Sequence, residues 1–236
     1  MDAVGERRIS YDARGLAEPN AETLKVATIE DGRGRFDAAE MTTRQINLEL
    51  RWLLYEQGLK EVEIDNPGSR HSLAVGILTR CKLTFNGSLG YFGCGIIDGP
   101  EIHIKGRVGW SACENMMSGV VVVEGNAGSL TGAAMRGGDF VIKGRVGART
   151  GIDQKGGSII IGGDAGSTTG FMMQRGRIII CGNAGPGLGD SMYDGDIYVG
   201  DHMKVGVGYN FTDFSDDLTD LSFDHHGFFI NFNVRM

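Results

Sequence analysis

The side chains that could do chemistry are few, and their spacing serves chemistry poorly. The four cysteines are Cys81, Cys94, Cys113 and Cys181. None forms a CxxC pair or a cluster-ligand pattern, so zinc and iron–sulfur readings are weak. Cys94 and Cys113 occupy the same place in consecutive repeat units and are expected to stack as thiols rather than to join as a disulfide. Asp139, Asp164, Asp190, Asp194 and Asp196 are scattered, whereas sugar cleavage needs carboxylates converging on one groove. His71, His103 and His202 are equally dispersed, and no nucleophile has an evident base beside it. His225 and His226 sit near acidic residues, but a solvated acidic segment explains them better than a metal site. No catalytic, cofactor-binding or metal-ligating residue is therefore assigned to the chain.

One stretch does imitate a cofactor loop. VVVVEGNAGSLTG (120–132) runs a β-branched strand into glycines, as in a dinucleotide-binding turn. That fold needs a strand, a turn and a helix within about 30 residues. Here a new strand arrives well before a helix could fit, and the same glycines return each time. The units are EIHIKGRVGWSACENMMSG, VVVVEGNAGSLTGAAMRGG, DFVIKGRVGARTGIDQKGG, SIIIGGDAGSTTGFMMQRG and RIIICGNAGPGLGDSMYDG. KLTFNGSLGYFGCGIIDGP precedes them in register, residues 63–81 fit loosely, and DIYVGDHMKVGVGYNFTDF opens a further unit.

Glycine is 39 of the 236 residues, about twice the usual share of roughly 7%. It recurs at the sixth position (Gly106, Gly125, Gly144, Gly163, Gly182), the ninth (Gly109, Gly128, Gly147, Gly166, Gly185) and the thirteenth (Gly132, Gly151, Gly170, Gly189). The nineteenth is also usually glycine. A 19-residue unit with a short strand and several glycine corners leaves no room for a crossover helix. The pattern predicts an all-β fold: a single-stranded, right-handed parallel β-helix of seven to eight turns, stacked about 4.8 Å apart.

Strand alternation sends the second and fourth residues inward, as with Val121 and Val123. The sixteenth position is expected inside too, reading Leu78, Ile97, Met116, Met135, Gln154, Met173, Met192 and Phe211. Methionine there reads as filler for an irregular core, with Gln154 satisfied by nearby backbone. The third position faces outward, yet it reads Val122, Val141, Ile160, Ile179 and Tyr198. An aliphatic ladder on a wet face needs a cover. Either the helix or the tail folds over it, or another chain is buried against it; the partner interface is the preferred reading.

Around this body the sequence divides into an N-terminal arm (1–40) with a strand near Arg8–Tyr11, a capping helix (41–60), the β-helix (61–210) and a C-terminal cap or docking tail (211–236). Thr42 and Gln45 have capping-box spacing, Gly58 is a stop, and Ile46, Leu50, Leu53 and Leu54 form one apolar stripe. That helix is expected to cover the first coil. A net charge of −7 argues against a nucleic-acid surface. No run approaches the roughly 20 apolar residues of a membrane span, and residues 1–30 lack an apolar leader core, so a cytoplasmic location is expected.

The recurring glycine register resembles the C-terminal β-helix (GXGXG) domain of glutamate synthase large subunits, over about residues 63–208. It is also similar to stand-alone relatives, among them the β-helix chain of formylmethanofuran dehydrogenase. DAAEMTTRQINLEL and NPGSRHSLAVGI (66–77) look most like the small glutamate-synthase-like subunits of N-methylglutamate synthases (methylamine–glutamate N-methyltransferases). The resemblance implies a structural subunit without a cofactor of its own. It would join a glutamine-amidotransferase-like chain to a synthase-like chain that binds FMN and an iron–sulfur cluster. It carries over the glycine register and Asn66–His71, and no catalytic residue. The alternatives are a formylmethanofuran dehydrogenase subunit or another amidotransferase complex and, from a different class, a stand-alone β-helix enzyme or glycan binder.

Overall fold

A computed structural model describes residues 25–200, 203–210 and 227–234. The chain builds one continuous sheet whose strands follow sequence order: β1 (Thr28–Glu30), β2 (Arg33–Asp37), β3 (Glu61–Asp65), β4 (Lys82–Asn86), β5 (Asp98–Ile104), β6 (Ser118–Val123), β7 (Asp139–Ile142), β8 (Lys155–Ile161), β9 (Arg175–Ile180), β10 (Asp196–Val199), β11 (Met203–Asn210) and β12 (Gly227–Val234). From β2 to β10 every pairing is parallel. Parallel neighbours in sequence order, without crossover helices between most of them, make a β-solenoid of about seven turns. From Lys82 onward each turn advances the register by one repeat unit, pairing Glu101 with Val120, Val120 with Asp139 and Asp139 with Ser158.

Inward positions recur around each coil. The second and fourth strand residues are buried as expected: Val121, Val123, Phe140, Ile142, Ile159 and Ile161 are all 0% exposed. The sixteenth position is buried at Ile97, Met116, Met135, Gln154, Met173 and Met192. Gln154 donates from Nε2 to the carbonyls of Gly156 and Gly157, both at 3.1 Å, while its Oε1 has no partner among the described residues. The twelfth position supplies Thr131, Thr150 and Thr169, each fully buried, with Oγ1 donating to the Gly128, Gly147 and Gly166 carbonyls at 2.8, 3.1 and 3.0 Å. Their hydroxyls are satisfied inside the coil, so threonine serves there as a β-branched filler.

The repeated glycines answer two different constraints. At the ninth position the limit is space: a Cβ on Gly128 would lie 2.7 Å from the Gly109 carbonyl carbon in the preceding coil. At the thirteenth the limit is the backbone, with Gly132, Gly151 and Gly170 at φ +68°, +69° and +73°. Cys94 and Cys113 hold the same left-handed geometry at φ 57° and 56°, which costs an L-residue roughly 1–2 kcal/mol. Alternate residues in this turn are all left-handed, as in Ser111, Cys113 and Asn115. That alternation flips successive peptides. Ser111 and Asn115 donate to Ser129 and Ala133 in the next coil, and Cys113 donates to Gly93 in the previous one. The turn is thereby hydrogen-bonded to both neighbours without being a strand.

The ends depart from the 19-residue period. β2 lies at Arg33–Asp37, inside the stretch expected to be an arm, and pairs with β3 after a long step from Arg33 to Glu61. The next step, Glu61 to Lys82, also exceeds the repeat unit, so β3 starts at Glu61 rather than at 63. The excess shifts the ladder. Leu78, expected inside, is 62% exposed, and Ile77 is buried at 2% in its place.

The helix α1 (Thr43–Arg51) occupies the longest step and continues as a π-helical turn, Trp52–Glu56. Its capping box forms, with the Gln45 N–H donating to Thr42 Oγ1 at 3.3 Å and the Thr42 N–H to Gln45 Oε1 at 2.8 Å. The chain leaves the turn through Gly58 at φ +67°. Ile46, Leu50, Leu53 and Leu54 are buried, worth about 1.5–3 kcal/mol each. They cover the inner side of β2, where a Cβ on Gly34 would meet Leu59 Cδ1 at 3.0 Å and Leu53 Cδ1 at 3.4 Å. Asn47 fastens the helix to the next coil, donating to the Ser72 carbonyl at 2.8 Å and accepting from Ala74 N–H at 2.9 Å. Capping by the helix is as expected.

At the other end the unit beginning at Asp196 makes its strand and then reverses. β11 runs antiparallel to β10, and β12 antiparallel to β11. Asp201 stands where the corner glycine would be, and Val205 and Val207 alternate with Gly206 and Gly208 as in a strand. Gly208, thirteenth in the unit that starts at Asp196, pairs with Phe229 rather than forming a corner. The expected strand at Arg8–Tyr11, the ladder residue Phe211, and residues His202, His225 and His226 lie outside the described residues.

Candidate partner-docking face

The parallel register places the third strand residues in one row on the outer face: Thr84, His103, Val122, Val141, Ile160, Ile179 and Tyr198. Four aliphatic side chains therefore stand on consecutive strands. Each is half-buried by its own neighbours, which leaves its outer surface open. Val120 widens the row on one side. On the other side the fifth positions are Glu124 and Lys143 on the first two of these coils, then Gly162 and the exposed Cys181.

Charge frames this strip. On the near side His103 Nε2 meets Glu124 Oε1 at 2.6 Å, and Lys143 Nζ meets Glu124 Oε2 at 2.7 Å. Lys143 first, then His103, holds the Glu124 carboxyl below the ordinary carboxylate range. On the far side Arg177 lies 3.8 Å from Asp196 and 5.8 Å from the Tyr198 ring. Toward the helix-capped end the same row turns ionic, with Arg35 Nε on Asp65 Oδ2 at 2.7 Å. The Arg35 hydrogen bond holds the Asp65 carboxyl below its usual value. An apolar centre with a polar rim is the composition of an interface core.

The helix does not cover this strip, because its apolar side is spent on the interior of β2 and its polar contacts go to Ser72 and Ala74. The alternative cover, the tail from 211 to 226, lies outside the described residues.

The other candidate groups have structural settings. Cys94 and Cys113 are buried; burial pushes the Cys94 thiol up to about 12 and holds the Cys113 thiol well above its ordinary value. Cys81 is raised to about 11 by the same cause. Asp164 Oδ1 accepts from the Asn183 N–H one coil on, at 2.8 Å. Glu49 is fully buried; its Oε1 accepts from the Val26 and Ala27 N–H groups at 3.0 Å, and its Oε2 has no partner among the described residues. Burial raises its pKa. Among the described residues no three His, Cys, Asp or Glu side chains group as a metal site would require.

Sequence spacing gives no direct sign of a cleft of about 420 Å³. It lies at the glycine corner between His71, Tyr91, Arg107 and Trp110. The signal that could reveal it is that Tyr91 and Trp110 occupy the same outward position in consecutive units. Compared with family models and with curated proteins, the sequence gives no match. Among the described residues no helix is long and apolar enough to cross a membrane.

Proposed function

We propose that this chain is a structural subunit of a glutamate-synthase-like complex, and that its outer strand face docks a partner subunit. The observation that carries the reading is the aliphatic row Val122, Val141, Ile160 and Ile179, in register and flanked by charged pairs at either end. An aliphatic strip of this kind on a β-solenoid lowers the free energy when it is removed from water against another chain. The glycine register and the Asn66–His71 stretch favour N-methylglutamate synthase, a cytoplasmic enzyme forming N-methylglutamate from methylamine and glutamate. The partners in that reading are a glutamine-amidotransferase-like subunit and an FMN- and cluster-binding subunit, which hold the chemistry.

The test is co-purification with those partners, comparing the wild-type chain with a Val141→Lys/Ile160→Lys variant. Both side chains point away from the core, so the variant keeps its circular dichroism spectrum. Loss of co-purification supports the docking face, whereas unchanged assembly removes it. Turnover or bound flavin in the isolated chain would contradict the structural role.

A further inference from the structure

The cleft at the glycine corner is lined by His71, Tyr91, Arg107 and Trp110. Its floor is Gly90 and Gly109, where successive coils pack too closely for a side chain: a Cβ on Gly109 would lie 2.6 Å from the Gly90 carbonyl carbon. The floor carbonyls are already used. Leu89 and Gly90 accept from the Gly109 N–H, and Val108 and Gly109 accept from Gly128. Donors around the cleft include Arg107 and the His71 ring.

The Arg107 guanidinium has no ion-pair or hydrogen-bond partner among the described residues. His71 Nδ1 accepts the Tyr91 N–H at 2.9 Å, so the ring proton sits on Nε2, which is free to donate. In the next coil no side chain repeats that cap, and the Trp110 backbone N–H is left without an acceptor among the described residues. No lining residue is acidic, in a chain of net charge −7.

The wall is aromatic. Trp110 is 63% exposed, and no other ring stacks on it among the described residues. The Tyr91 ring, by contrast, is held edge-on by His71, with centroids 6.4 Å apart. An exposed indole on a glycine corner is a stacking platform, and the unpaired Arg107 guanidinium in the same lining supplies charge complementarity.

We propose that this cleft binds a small organic anion: a flat ring that lies on Trp110 and carries a phosphate or carboxylate received by Arg107 and His71 Nε2. The site belongs to the glycine corner rather than to the strand face, so it does not depend on partner docking.

Calorimetric titration of the full chain tests this, with adenosine monophosphate and indole-3-acetate as probes and adenosine and inorganic phosphate as half-ligands. The expected result is saturable one-site binding of at least one probe, weakened at least tenfold by Arg107→Ala and by Trp110→Ala. When adenosine monophosphate is the binder, adenosine and phosphate alone each bind at least tenfold more weakly. Both side chains are exposed, and an unchanged urea midpoint confirms that the variants fold. No saturable binding of either probe overturns the proposal. So does binding that survives both substitutions, or inorganic phosphate binding as tightly as the whole ligand, which would show an adventitious anion site.

Discussion

Two aliphatic ladders run along this solenoid, on adjacent positions of the same strands. Val123, Ile142, Ile161 and Ile180 point inward and are at most 1% exposed. Val122, Val141, Ile160 and Ile179 point outward and stay half-open. The residue types are nearly identical, so composition cannot tell them apart; only the strand's alternation does. The inner ladder is required by the fold, since an open coil interior would be a string of cavities. The outer ladder is not required by it. In the proposed reading a partner subunit covers it.

The largest effect expected from breaking this contrast is in the inner ladder. Ile142→Ala should lower stability by about 2–5 kcal/mol, whereas Val141→Ala next to it should change it by only about 0.5 kcal/mol. Urea unfolding of the two variants side by side checks this. Equal losses would mean that the outer row is a second core, covered by the chain itself.

Next comes the close stacking that keeps the two faces apart. A Cβ on Gly147 would meet the Ser129 N and Oγ at 2.5 Å and the Gly128 carbonyl carbon at 2.8 Å. Gly147→Ala should therefore cost about 1–3 kcal/mol by forcing two coils apart, again read from the urea midpoint.

How much of this is legible in the sequence depends on whether the period is interrupted. The coils from Lys82 to Asp196 carry no insertion, so spacing alone places their strands, corners and both ladders. The first two coils take longer steps, from Arg33 to Glu61 and from Glu61 to Lys82, and any fixed period fails there. That is why a constant spacing puts Leu78 inside and reads β2 as an arm; RGRFD has only Phe36 as an apolar inward residue. Thr131, Thr150 and Thr169 escape such a reading because threonine counts as polar until its hydroxyl is seen bonded within its own coil. The left-handed residues beside the glycines, such as Leu130 and Met172, give no compositional sign of their backbone. The outer aliphatic strip is legible as a pattern, and the cleft is not, because it forms between coils.

A smaller effect compares an inner with an outer carboxylate. Burial raises the pKa of Glu49 above its ordinary 4.5. The folded state thus holds that proton more tightly than the unfolded chain does. Its stabilisation is complete below pH 4.5 and is lost as pH rises through the folded value. Glu124 behaves oppositely, since its lowered pKa gives stability that is lost as pH falls. Urea midpoints against pH should show Glu49→Gln gaining on wild type as pH rises from 4.5, and Glu124→Gln gaining as pH falls toward acid.

The cysteines repeat the comparison and provide its most direct probe. Cys81, Cys94 and Cys113 are buried with raised pKa values, while Cys181 is exposed on the outer face, directly after Ile180. A thiol reagent at neutral pH should label Cys181 quickly and the other three only on unfolding. Repeated on the complex with its partner subunits, the account expects Cys181 labelling to slow at least tenfold. Full reactivity of Cys181 in an assembled complex would contradict the central claim that the outer ladder is a docking face.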